Sequence, residues 1–254
     1  MSEPPDAMEA EFDTVARWTE EVIRDIGADS AIPAACRGSA SPAALSWLAD
    51  RLQLRAGDTV LDSGAGLGGP AAWLRKEHDV APVLCDPMQD ACAAAYRMFG
   101  MPTVAAWSES LPFGSEIFPA AWCLGVLCTT TEQEQLLHEL RRVLVPGGRL
   151  GLLVFVQMVD ELDEAPQGNH FPTGDRLAEL LADAGLSVVA ERTTDGLPAP
   201  PSEWTRVEEV VERELRRRHK AAPAWRQAEQ QQESMGALLR DGRVAARLLV
   251  AQRR

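Results

Sequence analysis

A short apolar run at 59–61 meets an acid, Asp62, and then three glycines at alternate positions, Gly64, Gly66 and Gly68. A helix-like stretch follows from Pro70. This junction constrains the fold more than any other part of the chain. Glycine lets the backbone turn tightly and leaves no Cβ between the main chain and a ligand. The first N–H groups of the next helix have no partners inside that helix, so they can receive polar or anionic ligand atoms. A strand, a glycine bend and a helix in this order suit an extended, nucleotide-like small molecule.

From residue 58 onward the pattern alternates. Strand-like runs fall at 59–61, 81–85, 103–106, 120–126 and 149–156, and helical stretches at 70–78, 89–99 and 132–144. Such alternation predicts a doubly wound α/β fold, a parallel sheet with helices on both faces. Ligands then bind at the carboxyl ends of the strands. Upstream, Phe12, Val15, Thr19, Val22, Ile23 and Ile26 make one mostly apolar helical stripe, with Gly27 as its stop. Residues 32–41 read as a connection containing Cys36-Arg37-Gly38-Ser39. Ser41-Pro42 reads as a cap and first helical residue. The helix after it carries Leu45, Trp47, Leu48 and Leu52 and is expected to end near Gly57.

Gly64-Ala65-Gly66-Leu67-Gly68-Gly69 also satisfies the dinucleotide pattern G-x-G-x-x-G, a weak match by itself. Asp62 discriminates. A carboxylate just before the first glycine repels a pyrophosphate and suits an ammonium group. S-adenosyl-L-methionine carries an amine and a sulfonium and no phosphate, so the acid favours it over NAD. The second strand ends in Cys85-Asp86-Pro87-Met88, and an acid there can accept hydrogen bonds from both ribose hydroxyls of an adenosine. Met88 either packs on the adenine face or serves as ordinary helix core.

The run Val60-Leu61-Asp62-Ser63-Gly64-Ala65-Gly66-Leu67-Gly68-Gly69-Pro70 resembles the class I S-adenosylmethionine-dependent methyltransferases of the small-molecule type. So do the Asp86 strand end, Ser110-Leu111-Pro112-Phe113, and Arg141-Arg142-Val143-Leu144-Val145-Pro146-Gly147-Gly148-Arg149-Leu150. The resemblance covers roughly residues 40–194. It implies a Rossmann-like, mostly parallel seven-stranded sheet whose last strand is antiparallel, with strand six at 186–193 and strand seven at 244–252. One methyltransferase domain would then comprise an N-terminal helical cap (1–57), a cofactor-binding core (58–195), a helical insertion (196–241) and the last strand (242–254). The insertion opens with Pro198, Pro200 and Pro201. It continues with an amphipathic helix bearing Trp204, Val207, Val211 and Leu215, which either covers the substrate or only docks.

Carried onto this chain, the resemblance implies that Asp62 holds the amine of the methionine end, while Gly64 and Gly66 admit that moiety. Asp86, with Pro87 and Met88 beside it, binds the ribose side. Ser108 and Glu109 lie near adenine, and Leu124 lines the methionine side. Arg37 pairs with the cofactor carboxylate, or is a loop arginine without a role. The family often has an acid at the position of Trp107, meeting the adenine amine; an indole can stack on adenine but cannot accept that hydrogen bond. Phe118-Pro119 stands where relatives often have Phe-Asp. The implied reaction is in-line attack by a small-molecule nucleophile on an activated methyl group, leaving S-adenosyl-L-homocysteine. Positioning then does most of the catalysis.

An amine or thiolate needs little further help, whereas a hydroxyl or acidic carbon needs a general base. Among His78, His138, His170 and His219, His170 follows strand five in Asn169-His170-Phe171-Pro172. It is the candidate base or substrate contact, against the plainer reading of a loop histidine. Asp160, Glu161, Asp163 and Glu164 nearby would attract a cationic substrate or simply be solvated. A net charge of −13 argues against nucleic acid as a partner. The basic run 216–220 reads as a solvated helix face. No apolar run reaches the length of a membrane span, about 18 residues, and the acidic N-terminus does not look like a signal peptide. Five scattered cysteines, without a C-x-x-C pair, predict reduced thiols in a cytoplasmic protein and no metal site, with a three-thiol site for a soft metal or metalloid as the remote alternative. Two other readings stay open: a cofactor-binding scaffold without transfer, and an NAD(P)-dependent oxidoreductase.

Overall fold

A computed structural model describes residues 7–37, 39–162 and 165–254. In chain order it contains α1 (Ala7–Ile26), α2 (Ala31–Ala35), α3 (Pro42–Ala49), β1 (Thr59–Ser63), α4 (Gly69–His78), β2 (Ala81–Asp86), α5 (Gln89–Phe99), β3 (Thr103–Ala105) and β4 (Phe118–Leu124). There follow α6 (Gln133–Val143), β5 (Leu144–Gln157), α7 (Gly174–Asp183), β6 (Leu186–Thr193), α8 (Ser202–His219), α9 (Pro223–Arg240) and β7 (Val244–Arg253). Among the described residues the strands form one seven-stranded sheet in the order β3-β2-β1-β4-β5-β7-β6. Strands β1 to β5 pair in parallel, and β7 runs antiparallel to both β5 and β6. The strand order reverses between β1 and β4, which opens a crevice beyond their carboxyl ends.

Successive strand residues point to opposite faces, and β1 divides the core accordingly. Leu61 lies with Leu136, Leu137 and Leu140 of α6 and Leu177 and Leu180 of α7. Val60 lies on the other face with Leu45 and Leu48 of α3, Leu74 of α4 and Trp122 of β4. Trimming a side chain as buried as Leu61 to alanine would cost about 2–5 kcal/mol. A third cluster joins Val22 and Ile23 of α1, Ala34 of α2, Val207, Val211 and Leu215 of α8 and Trp225 of α9. The N-terminal helices and the insertion are thereby packed into one helical layer.

The helix stripe is broken at Phe12, which is 53% exposed, while Val22 and Ile23 are buried. Ser41 caps α3 as expected, its Oγ accepting from Ala44 N at 3.3 Å. That helix stops at Ala49, well before Gly57, and the chain continues in turns with Gln53 at φ 57°. Leu52 remains buried from within those turns. β4 ends at Leu124, because Gly125 takes φ 81°. β5 starts earlier than its apolar run: Leu144 pairs with Phe118, and the register slips before Arg149 meets Ala120. Pro146-Gly147-Gly148 therefore forms an irregularity inside a strand, with Gly147 at φ 77°. α7 lies outside the helical stretches that the sequence pattern predicts, although Thr173 caps it at Arg176 N, 3.2 Å away. Among the described residues no helix is long and apolar enough to cross a membrane.

Candidate active site

β1 delivers Asp62 and Ser63 to the crevice, and the bend after them is pinned to β2. Gly64 N and Ala65 N both donate to Cys85 O, at 2.8 and 3.1 Å. Gly64 sits at φ 73°, and a Cβ there would lie 2.2 Å from Val126 Cγ2. Gly66, at φ 51°, is different: among the described residues nothing lies within 4 Å of its would-be Cβ. The bend is thus closed on its strand side and open at Gly66. Gly69, which starts α4, is covered by the end of α2, with Ala35 C 2.4 Å from its would-be Cβ.

The two acids differ in how they are satisfied. Asp86 Oδ2 accepts from Gly66 N at 2.7 Å and its Oδ1 accepts from Met88 N at 2.9 Å. Burial raises its pKa; the Met88 and Gly66 N–H groups oppose that, and the nearby Asp13 carboxylate adds to it. Asp62 is only 2% exposed, and its Oδ2 has no hydrogen-bond partner among the described residues. Strand register sets it beside Trp122, whose Nε1 is equally unpartnered. Burial pushes the Asp62 carboxyl from 3.8 up to about 7. The Trp122 N–H draws it back without completing a hydrogen bond, Asp86 pushes it further up, and the Ala71 N–H lowers it slightly.

The N-terminal segment meets α5 and α8 near this edge. Asp13 Oδ1 of α1 accepts from Ala91 N in the first turn of α5, at 3.0 Å. The Arg37 guanidinium pairs with Glu212 of α8, so in this structure a protein carboxylate stands where the sequence placed the cofactor's. Gly38, beside it, lies outside the described residues. Ser108 is buried and shares a hydrogen bond with Ser63, Oγ to Oγ 2.8 Å, at the end of β1. Glu109 presents its carbonyl to Gln135 Nε2 of α6 at 3.4 Å. Leu124 is buried at the end of β4. Pro87 and Met88 are half-buried between β2 and α5.

His170 follows β5 in the chain and sits against the turn after β4. Its N donates to Cys128 O at 2.7 Å and its carbonyl accepts from Gln133 Nε2 at 2.7 Å. Its exposed side chain borders an open cavity of about 510 Å³, lined also by Thr131, Gln133, Gln157, Asn169 and Arg176. Asp160 and Glu161 are near this cavity in sequence; Asp163 and Glu164 lie outside the described residues. Sequence reasoning missed Trp122, because its place beside Asp62 depends on the β1–β4 register. It also missed Glu11 of α1, which is 5% exposed, with Oε2 unpartnered among the described residues. Burial pushes Glu11 up to about 7. Its helical spacing from Val15 and Val22 was the available signal.

A sheet of this order, with a glycine bend and two acids at its switch point, defines a class I methyltransferase fold. Residues 61–152 match the family described as "Methyltransferase domain". Over these residues the chain is similar to methyltransferase domains, and its sheet has the Rossmann-like methyltransferase fold that the sequence resemblance implied. It is 31% identical over 155 residues to 27-O-demethylrifamycin SV methyltransferase of Amycolatopsis mediterranei (strain S699), covering 58% of this chain and 53% of that protein. It is 30% identical over 112 residues to methyltransferase GfsG of Streptomyces halstedii, covering 41% and 40%. The chain thus spans about half the length of the curated relatives it matches. The solved structure of the cyclopropane synthase MmaA2 from Mycobacterium tuberculosis superposes with a TM-score of 0.66 over 82% of both chains, at 15% identity. That likeness shows the fold alone.

Proposed function

We propose that this chain transfers a methyl group from S-adenosyl-L-methionine to a small-molecule acceptor. The observation that carries the reading is Asp62: a buried carboxyl with one oxygen unpartnered, at the mouth of a bend whose Gly66 faces open space. Such a group gains a counter-charge from an ammonium and would be further destabilised by a phosphate. The dinucleotide oxidoreductase alternative is disfavoured on the same ground. When bound, the cofactor supplies an activated methyl group on a sulfonium that is its own leaving group.

The residues divide the remaining work. Asp62 would hold the amine, Gly64 and Gly66 would admit the methionine end, and Asp86 would accept from the ribose hydroxyls. Pro87, Met88, Ser108 and Glu109 would flank the adenosine, and Leu124 would line the methionine side. Arg37 would exchange Glu212 for the cofactor carboxylate, a charge-assisted pairing in either state. The layer of α1, α2, α8 and α9 would exclude water and hold the reactants together. His170 and its cavity would contact the acceptor, and His170 would serve as base where one is needed. A reducing, cytoplasmic setting is part of the proposal; all five cysteines are buried, free thiols.

Calorimetry with S-adenosyl-L-homocysteine and with NADH tests the cofactor. Binding of the first alone is expected, and binding of NADH alone would refute the reading. Asp62→Ala and Asp86→Ala should each weaken binding by about tenfold or more, as expected for losing a hydrogen bond to a charged group. A methyl-transfer screen over amines, phenols, thiols and carboxylates then separates an enzyme from a cofactor-binding scaffold. One solved neighbour is named for cyclopropane formation. Methyl transfer must therefore be read directly from a labelled product, because fold does not fix chemistry.

A further inference from the structure

Resting on the cofactor reading above, we propose that the methyl acceptor is an amine, held as its ammonium by Glu11 of α1 and deprotonated by the same carboxylate. The argument starts with the direction of α1. Asp13 takes Ala91 N in the first turn of α5, and Glu20 pairs with Arg97 in its last turn. The two helices therefore run side by side in one direction. That puts the start of α1 at the carboxyl edge of the sheet, beside the end of β2. The Asp13 carboxylate is near enough to Asp86 to disfavour its charge. Glu11 lies about 3 Å further along the helix axis and on another face. With Thr19 and Val22 it makes a buried stripe at helical spacing. Val22 shares a cluster with Val207 and Val211 of α8 and Trp225 of α9. Glu11 thus stands at the edge that carries the cofactor acids, on the side of α1 turned to the covering helices.

Glu11 is 5% exposed, and its Oε2 has no hydrogen-bond partner among the described residues. The charged groups of the helices packed on α1 are engaged elsewhere. Arg97 of α5 pairs with Glu20, Arg218 of α8 with Asp25, and Arg216 of α8 with Glu229 of α9, while His219 stacks on Trp18. Residues 1–10 contain no Lys, Arg or His. A buried carboxylate left without a cation is costly, and a bound cation removes that cost. On α9, which packs against α1, Gln231 Oε1 is also buried and unpartnered, while its Nε2 donates to Gln167 O at 3.3 Å. Two orphan acceptors suit an ammonium, which brings three N–H donors and a charge; a hydroxyl brings one donor and no charge. In the reaction the ammonium passes one proton to Glu11. The freed nitrogen lone pair then attacks the methyl carbon, and the carbon–sulfur bond breaks with its electron pair going to sulfur. The products are an N-methylammonium and S-adenosyl-L-homocysteine, and Glu11 yields the one released proton to water. His170 is then an acceptor contact with no call on it as a base.

The test uses the full chain saturated with S-adenosyl-L-homocysteine, so that Asp62 is already paired. Calorimetry compares hexylamine, benzylamine and tryptamine with the matching alcohols and carboxylic acids. An amine should bind about tenfold or more tighter than its alcohol, and the acids should not bind. Burial alone raises the Glu11 carboxyl to about 7. Only its ionised form holds an ammonium, so amine affinity should fall about tenfold from pH 8 to pH 6. Glu11→Gln should weaken the amine about tenfold or more, flatten that pH dependence and bring amine and alcohol level. It should leave the affinity for S-adenosyl-L-homocysteine within about threefold of wild type. Glu11→Asp should keep the pH dependence; a merely structural role would move Tm and leave the amine's pH slope unchanged. With labelled S-adenosyl-L-methionine, the amine that binds should gain its label on nitrogen. The proposal is overturned if no amine binds, if the label goes to an alcohol, or if Glu11→Gln holds the amine as tightly as wild type. If S-adenosyl-L-homocysteine itself does not bind, the cofactor reading fails instead.

Discussion

Replacing Asp62 by asparagine should make the protein more stable in alkaline buffer while weakening its grip on the cofactor. Burial lifts this carboxyl from 3.8 to about 7. An acid whose folded pKa exceeds its unfolded one contributes stability that is complete below the unfolded value and lost as pH rises through the folded one. The window therefore runs from about pH 4 to about pH 7. Holding the ionised form without a partner costs about 4 kcal/mol in full, at 1.36 kcal/mol per pKa unit. Asparagine keeps the shape and never ionises. The stability difference between Asp62→Asn and wild type should thus shift in the variant's favour by about 3 kcal/mol between pH 5 and pH 8. Asp86 and Glu11 titrate in both proteins and largely cancel.

Urea unfolding of both proteins at the two pH values reads that difference directly. The same linkage predicts the pH dependence of binding. An ammonium beside Asp62 selects its ionised form, so binding below neutrality expels a proton. The affinity of wild type for S-adenosyl-L-homocysteine should fall about tenfold from pH 8 to pH 6, with proton release visible as a buffer-dependent calorimetric heat. In Asp62→Asn this pH dependence should flatten and binding should be weak throughout. A stability difference that stays constant from pH 5 to pH 8 would refute the reasoning, as would equal pH slopes in the two proteins.

The two inner glycines should separate folding from binding. Gly64→Ala drives a Cβ to 2.2 Å from Val126 at φ 73°, and should cost about 1–3 kcal/mol of stability, seen as a lowered Tm. Gly66→Ala meets no described atom within 4 Å and should cost about 1 kcal/mol for its positive φ. It should nonetheless sharply weaken S-adenosyl-L-homocysteine binding; wild-type affinity in that variant would mean the open space is not the cradle. The Arg37–Glu212 pair is half-buried and joins the N-terminal segment to α8. If Arg37 receives the cofactor carboxylate, Arg37→Ala weakens binding and Glu212→Ala does not. Equal loss in both variants would identify the pair as a latch only.

Features set by neighbouring residues were legible in the sequence. The glycine bend follows from spacing, and the helix at 89–99 coincides with α5; the strand at 186–193, which the family resemblance implied, coincides with β6. Features set by distant pairing were not. The start of β5 depends on Leu144 meeting Phe118, a contact invisible in the apolar run that begins at Arg149. The early stop of α3 has a similar origin: Leu52 stays buried without being helical, so the apolar pattern outlasts the helix. Arg37 shows the same limit in the site. Sequence identifies a cation that a carboxylate should meet, and only the fold supplies Glu212 from 175 residues away.

The division of labour between the two acids also required the fold. By sequence both are carboxylates at strand ends, and spacing alone assigns one to the amine and the other to ribose. In the structure each oxygen of Asp86 already accepts one backbone N–H, which keeps the group oriented with lone pairs left for hydroxyl donors. Asp62 alone keeps its proton up to about neutral pH, because burial outweighs the N–H groups near it. A neutral hydroxyl would return little of that desolvation cost, whereas an ammonium returns it as a charge pair. The difference in satisfaction between two chemically identical groups is what separates a hydroxyl site from a cation site here.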